Sequence, residues 1–480
     1  MPGAGSGTGA TVAPVTPRTG FVVALVVGAT VRAWQMWGLG TLEWADTADF
    51  LATSEAGWAS LELWAGERPP GTAVLLKLVG GDATAYTVVQ AAIAVACWAA
   101  LAASVLAAVR GRVAGPLAAL AVVALSLTTP ATMWDRSALS ESLALSLLAL
   151  VVAAGLRMAL GVTRRRAGLL AGALALWVAV RDTHAVVALV GGAALAVVVA
   201  AGWLVERRRR TVASDASDGS PPALGVWAGV ALATVGMGVV AGWASTHGER
   251  HVFPLGNVYE VRVLPYPDRV EWFSDRGMPQ AEVFAGSGAR KPHVQPNGVP
   301  VLYVPEDDPD LEPWLAWLER DGRATFARFA ATHPTYVALE PLRSPERAFN
   351  NALGDRGFYA PQDMRRVPLI DRVLALPTPL VLVVATGVVG WLIGRGRWSP
   401  AMVAGLVVVA LAVPHGLVAW HSDGMETARH LVVPAVQLHL GVLLMAIGLV
   451  PAPVPARPGS EAQVEPEAEA PGAGVPSAHG

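Results

Sequence analysis

The chain reads as long apolar runs separated by short polar stretches, and most runs exceed what a soluble helix carries. Ten candidate membrane spans stand out, at about 20–38, 83–109, 113–131, 140–160, 167–181, 184–204, 223–245, 371–394, 399–420 and 430–450. A crossing helix needs about 20 residues, and the fifth run falls short of that. The arginines argue for keeping it. With the N-terminus inside, Arg110 and Arg112, Arg157 and the arginines at 164–166, those at 207–210, and Arg395 and Arg397 all fall on the cytoplasmic side, as the positive-inside rule requires. Without the fifth span the 207–210 group would lie outside.

The pattern predicts an all-α polytopic membrane protein of about ten transmembrane helices. A long extracytoplasmic segment, about 246–370, is inserted between spans seven and eight, and we expect it to be α+β. Its first half is rich in Pro, Gly and aromatics. Its second half opens an amphipathic helix at Leu311-Glu312-Pro313-Trp314 that runs to His333. Residues 18–245 read as an N-terminal transmembrane module with its first outer loop at 39–82, and 371–450 as a C-terminal module. The ends, 1–17 and 451–480, read as disordered cytoplasmic segments. The first span lacks a small-residue cleavage site and reads as a retained anchor. The expected location is a multi-pass plasma-membrane protein with both termini in the cytoplasm.

Composition agrees. The chain is 53% hydrophobic and 15% charged, where soluble domains carry about 25% charged residues. Cys97 is the only cysteine, which excludes a disulfide or a cysteine-ligated metal site within the chain. The net charge of −2 points to no partner, and none of nucleic acid is expected. Membrane lipids are the expected surroundings.

Polar residues near a membrane are costly and point to function. On this topology they gather at the outer ends of the spans. Asp46 and Asp49, spaced i, i+3, share a helix face, although a solvated loop would also account for them. Glu141 enters the fourth span after Ser140, where the helix dipole favours a carboxylate. Arg181 and His184 lie at the turn between spans five and six and could bind a phosphate. His421, Asp423, Glu426, Arg429 and His430 crowd the turn between spans nine and ten, a denser group than intrahelical pairing needs. His421 and His430 could ligate a metal. No cofactor is required on this reading, and a divalent metal is left open. Arg68-Pro69-Pro70-Gly71 leads into a short apolar helix, and prolines start a helix well. Its Arg68 could pair with a carboxylate of the same loop or with a lipid phosphate.

The order of these motifs resembles the GT-C glycosyltransferases, such as protein O-mannosyltransferases and lipid A aminoarabinose transferases. Asp46-Thr47-Ala48-Asp49-Phe50 matches their acidic motif in the first outer loop. Pro69-Pro70, Ser140-Glu141, Arg181 and the pair Glu426 and Arg429 match later features. The acidic motif departs from the family in having Thr47 where an acid stands, with Asp49 displaced by two. The large outer segment also falls before the last spans and not after them. The resemblance implies transfer of a sugar from a polyprenyl-phosphate donor to an extracytoplasmic acceptor. Asp46 would be the catalytic base, with Asp49 as a second catalytic acid, a partner for Arg68 or a loop residue. Arg68, Glu141, Arg181, His184, His421, Asp423, Glu426, Arg429 and His430 would bind substrate. We expect the low-dielectric surroundings to raise the pKa of Asp46. The competing readings are a transporter or lipid flippase, which needs a polar path through mid-membrane, and a non-catalytic envelope scaffold.

Overall fold

Each apolar run folds as a helix, because a backbone inside a bilayer must satisfy its own hydrogen bonds. The computed structural model describes 17–250 except 110, 112 and 213–221, then 252–279, 293–294, 300–301, 312–345, 348, and 363–449 except 396–397 and 425. The expected disordered ends, Arg110, Arg112, Arg397 and most of 280–311 lie outside these residues.

Seven described helices are long and apolar enough to cross a membrane. They are α1 (Pro17–Met36), α5 (Ala83–Ala108), α8 (Glu141–Ala159), α10 (Asp182–Val212), α11 (Pro222–His247), and the last two, Pro400–His421 and Thr427–Gly448. Their outward faces expose Val22, Val26, Val197, Val198, Leu232 and Val240, which suits contact with lipid and not with water. The eighth expected span is a bent pair, Pro368–Leu374 and Thr378–Arg395, with a 49° bend between its two parts. Pro377 lies in the break and cannot donate to a continuing helix.

The remaining two expected spans are short. The third is α6 (Ala114–Ser126), 13 residues, followed by the single turn α7 (Thr129–Thr132). The fifth is α9 (Arg164–Val178), 15 residues or about 22 Å long. Even so, α9 runs from one end of the bundle to the other. At its start Arg166 donates to Arg157 O and Gly161 O at the end of α8. At its end Ala179 O accepts from Gly71 N, beside the start of α10. The chain therefore changes ends of the bundle along α9.

The polar turns at one end of the bundle are cross-tied. Arg32, inside α1, grips Asp135 with two hydrogen bonds of 2.7 and 2.8 Å, and Ser142 Oγ donates to the same carboxylate at 2.6 Å. Gln90 Nε2 donates to Asp135 O and Ser137 O, and Tyr86 Oη to Leu139 O. Leu42 bridges to Ser137. Together these fix residues 134–140 as the floor of that end.

The first loop between spans folds into α2 (Ala45–Glu55), α3 (Leu61–Ala65) and α4 (Pro70–Leu78). The segment after α11 begins with α12 (Val252–Arg262) and α13 (Pro267–Ser274). It continues helical from Glu312 to Thr332 through a π turn at Leu318–Gly322. Tyr259 Oη donates to Gly322 O there at 3.0 Å. An aromatic core of Tyr259, Phe273, Trp314, Trp317 and Phe329 holds these helices together. Two two-residue strands, β1 (His293–Val294) and β2 (Pro300–Val301), pair antiparallel.

Candidate active site

The site is assembled from five stretches of chain. α2 brings Asp46 and Asp49, the lip of α4 brings Arg68, and α8 opens on Glu141. The turn before α10 brings Arg181, and residues 423–430 supply the rest. Thr47 explains how α2 is set. Its Oγ1 accepts from Trp44 N at the helix start and donates to Ala138 O on the floor. The position where the family pattern has an acid is therefore a buried tether, 1% exposed, which aims Asp46 and Asp49 inward from the same helix face.

Arg429 is the centre. Its Nε donates to Glu141 Oε1 at 2.5 Å, and its Nη1 to Asp46 Oδ2 at 2.6 Å and Glu426 Oε2 at 2.7 Å. Arg181 donates from Nη1 to Glu141 Oε1 at 3.2 Å and from Nη2 to His430 Nδ1 at 2.5 Å. Arg68 Nη2 reaches Asp46 Oδ1 at 3.0 Å and also Asp49 Oδ2. Glu141 is fully buried, whereas the Arg68 side chain is 28% exposed. The cluster thus grades from a buried floor to an open rim.

Arginine only donates, so His430 accepts at Nδ1 and carries its proton on Nε2. That proton points to Asp423 Oδ2 at 3.2 Å. Asp423, Glu426 and His430 have ligand atoms within 4.8 Å of one another. A cation among them would meet the Nε2 proton, and shifting that proton to Nδ1 would set it against Arg181. This donor set does not fit a metal as arranged.

The electrostatics correct one expectation. Burial works to raise the pKa of Asp46, but the Arg429 and Arg68 guanidiniums outweigh it and hold the carboxyl below its ordinary value. Glu426 goes the other way. Burial lifts it to about 7 against the pull of Arg429, with Asp423, Asp46 and Glu141 adding to the rise.

Two expected site residues stand apart from the ion pairs. His184 is fully buried, donates from Nδ1 to Trp177 O at 2.7 Å and stacks on the Trp177 ring at 3.9 Å. His421 donates from Nε2 to Val337 O at 3.0 Å and leans on Tyr336, so it fastens the outer segment. Sequence reasoning passed over two further fasteners. Arg262 Nη2 donates to Asp423 O and Thr427 Oγ1. Arg250 donates to Asp182 Oδ1 and to the carbonyls of Gly66 and Trp64. A lone arginine in a long polar segment carries no pattern that would single it out. A side chain on Gly424 would meet Asn257 O at 2.1 Å, so α12 lies directly on the loop that bears Asp423 and Glu426.

No known family profile matches the chain. No curated protein matches it either. Among solved structures, the chain is similar over 88% of its length to the archaeal oligosaccharyltransferase AglB of Archaeoglobus fulgidus, solved in complex with an inhibitory peptide and a dolichol-phosphate. The TM-score is 0.39 with 12% sequence identity, and the match spans 50% of that protein.

Proposed function

We propose that the protein is a membrane glycosyltransferase that moves a sugar from a polyprenyl-phosphate donor to an extracytoplasmic acceptor in the cell envelope, whether glycan, lipid or protein. One observation carries this reading. The separate motifs that resemble GT-C enzymes, at Asp46, Arg68, Glu141, Arg181, Glu426 and Arg429, lie up to 383 residues apart and meet in one cluster. A scaffold would have no need to bring them together.

The chemistry follows from the grading. Among the described residues Arg68 donates from Nη2 alone, to the two aspartates, so its Nε and Nη1 would face a phosphate at the rim. Guanidinium forks bind phosphate oxygens well and stabilise charge that develops on a leaving group. Arg429 sits one carboxylate deeper, and Arg181 holds Glu141 and His430 in position. The segment docked on the 422–427 loop would cover the site and choose the acceptor. The arginine-rich ends of α8, α9 and α10 lie at the opposite end of the bundle, which would put the cluster outside the cell.

The test is transfer of a labelled sugar from polyprenyl-phosphate donors by membranes carrying the wild type beside Asp46→Asn. Wild-type transfer that falls at least tenfold in Asp46→Asn is expected, because Arg68 and Arg429 lose the carboxylate between them. A wild type inert with every such donor would refute the reading.

A further inference from the structure

Sugar transfer needs a group that accepts the acceptor's proton, and two carboxyls at the rim compete for that role. Both oxygens of Asp46 are held by cations, Oδ1 by Arg68 at 3.0 Å and Oδ2 by Arg429 at 2.6 Å. Among the described residues Glu426 is held on one side only. Its Oε2 takes Arg429 Nη1 at 2.7 Å and lies 3.9 Å from His430 Nε2, while its side chain is 20% exposed. Its own backbone is fixed, with its N donating to Asp423 Oδ1 at 3.2 Å just before the last helix. One carboxylate oxygen is thus anchored, and among the described residues none donates to Oε1.

We propose that Glu426, and not Asp46, is the general base of the transfer. This rests on the glycosyltransferase reading above. The acceptor oxygen bonds to the anomeric carbon as its proton passes to Glu426 Oε1. The bond from that carbon to the phosphate oxygen breaks, and its electron pair leaves with the phosphate toward Arg68 and Arg429. Asp46 then serves to position the two guanidiniums.

The groups around Glu426 fit this role. Asp423, Asp46 and Glu141 are like charges, His430 is neutral in the tautomer set by Arg181, and Arg429 is the cation. Arg262, from the docked segment, is bound to Asp423 O and Thr427 Oγ1. A base works best when its pKa lies near the working pH, and Glu426 is lifted to about 7. It accepts a proton only when ionised, so the rate should climb as pH rises through that value.

The experiment compares pH–rate profiles of wild type, Glu426→Gln and Glu426→Asp with a labelled polyprenyl-phosphate sugar. In Glu426→Gln, kcat should fall about 10²–10⁴-fold, the rising limb near pH 7 should vanish, and the donor KM should stay close to wild type. Glu426→Asp should keep a rising limb at reduced rate. It also decides the matter if the Gln variant does not fold. A Gln variant that keeps the limb, at any rate, overturns the assignment of Glu426 and leaves the glycosyltransferase reading standing. A wild type without transfer overturns that reading first, and this inference with it.

Discussion

Arg429 shows what a single residue does here. It is 7% exposed and answers three carboxylates. Removing one partner of a buried ion pair costs about 3–5 kcal/mol, because the other charge stays buried alone. Arg68 lies at the rim, where a pair contributes about 0–1 kcal/mol. We therefore expect Arg429→Ala to unfold well below wild type in lipid nanodiscs and Arg68→Ala to unfold near it, with both losing transfer. Equal thermal shifts would contradict the graded cluster. Much of this group was legible in the sequence, because charges at the ends of apolar spans are rare and have few cheap explanations. The directions of side chains were not legible. Arg181 and His184 lie three residues apart, which on one helix would share a face, but Arg181 sits in the turn before α10 and only His184 is inside the helix. His184 therefore packs against Trp177 while Arg181 faces Glu141. Arg32, inside an apolar run, was not singled out, because its partner, Asp135, is 103 residues away.

Helices set where these residues can go. The helices Pro400–His421 and Thr427–Gly448 approach closely through two glycines. A Cβ on Gly405 would lie 2.6 Å from Gly441 O, and one on Gly441 would lie 2.7 Å from Val409 Cγ2 and 3.0 Å from Gly405 O. Small residues let membrane helices pack this closely. Gly441→Ala should force the last helix, with Arg429 and His430 on it, away from its neighbour. We expect lower thermal stability together with lost transfer, and unchanged stability would show that the contact is not needed. Hydropathy located the spans but not their breaks. Residues 113–131 read as one apolar run, yet α6 stops at Ser126 and a new turn starts at Thr129. Thr and Pro inside an apolar run do not lower its score enough to mark the stop. The run 371–394 hid the same kind of break before Thr378. Its Asp371 read as the edge of a span, but it accepts from Thr129 N and Oγ1 at 2.7 and 2.6 Å. That contact pins the bent pair to α7.

At the scale of the whole molecule, the described helices carry scattered polar residues to one end, and the docked segment closes over them. α12 rests on the 422–427 loop, Arg250 ties Asp182 to α3, and His421 ties to Val337. That these polar turns share one end of the bundle was legible, since the alternation of spans carries them there. The docking was not, because it depends on long-range contacts between irregular segments. The central claim is that this cluster receives the phosphate of a lipid-linked sugar. The most direct measurement is a structure of the protein in a lipid nanodisc with a polyprenyl-phosphate sugar. We expect the phosphate within hydrogen-bonding distance of Arg68 and Arg429, with Glu426 facing the anomeric carbon. A lipid phosphate bound elsewhere, with Arg68 still paired to Asp46 and Asp49, would contradict the account.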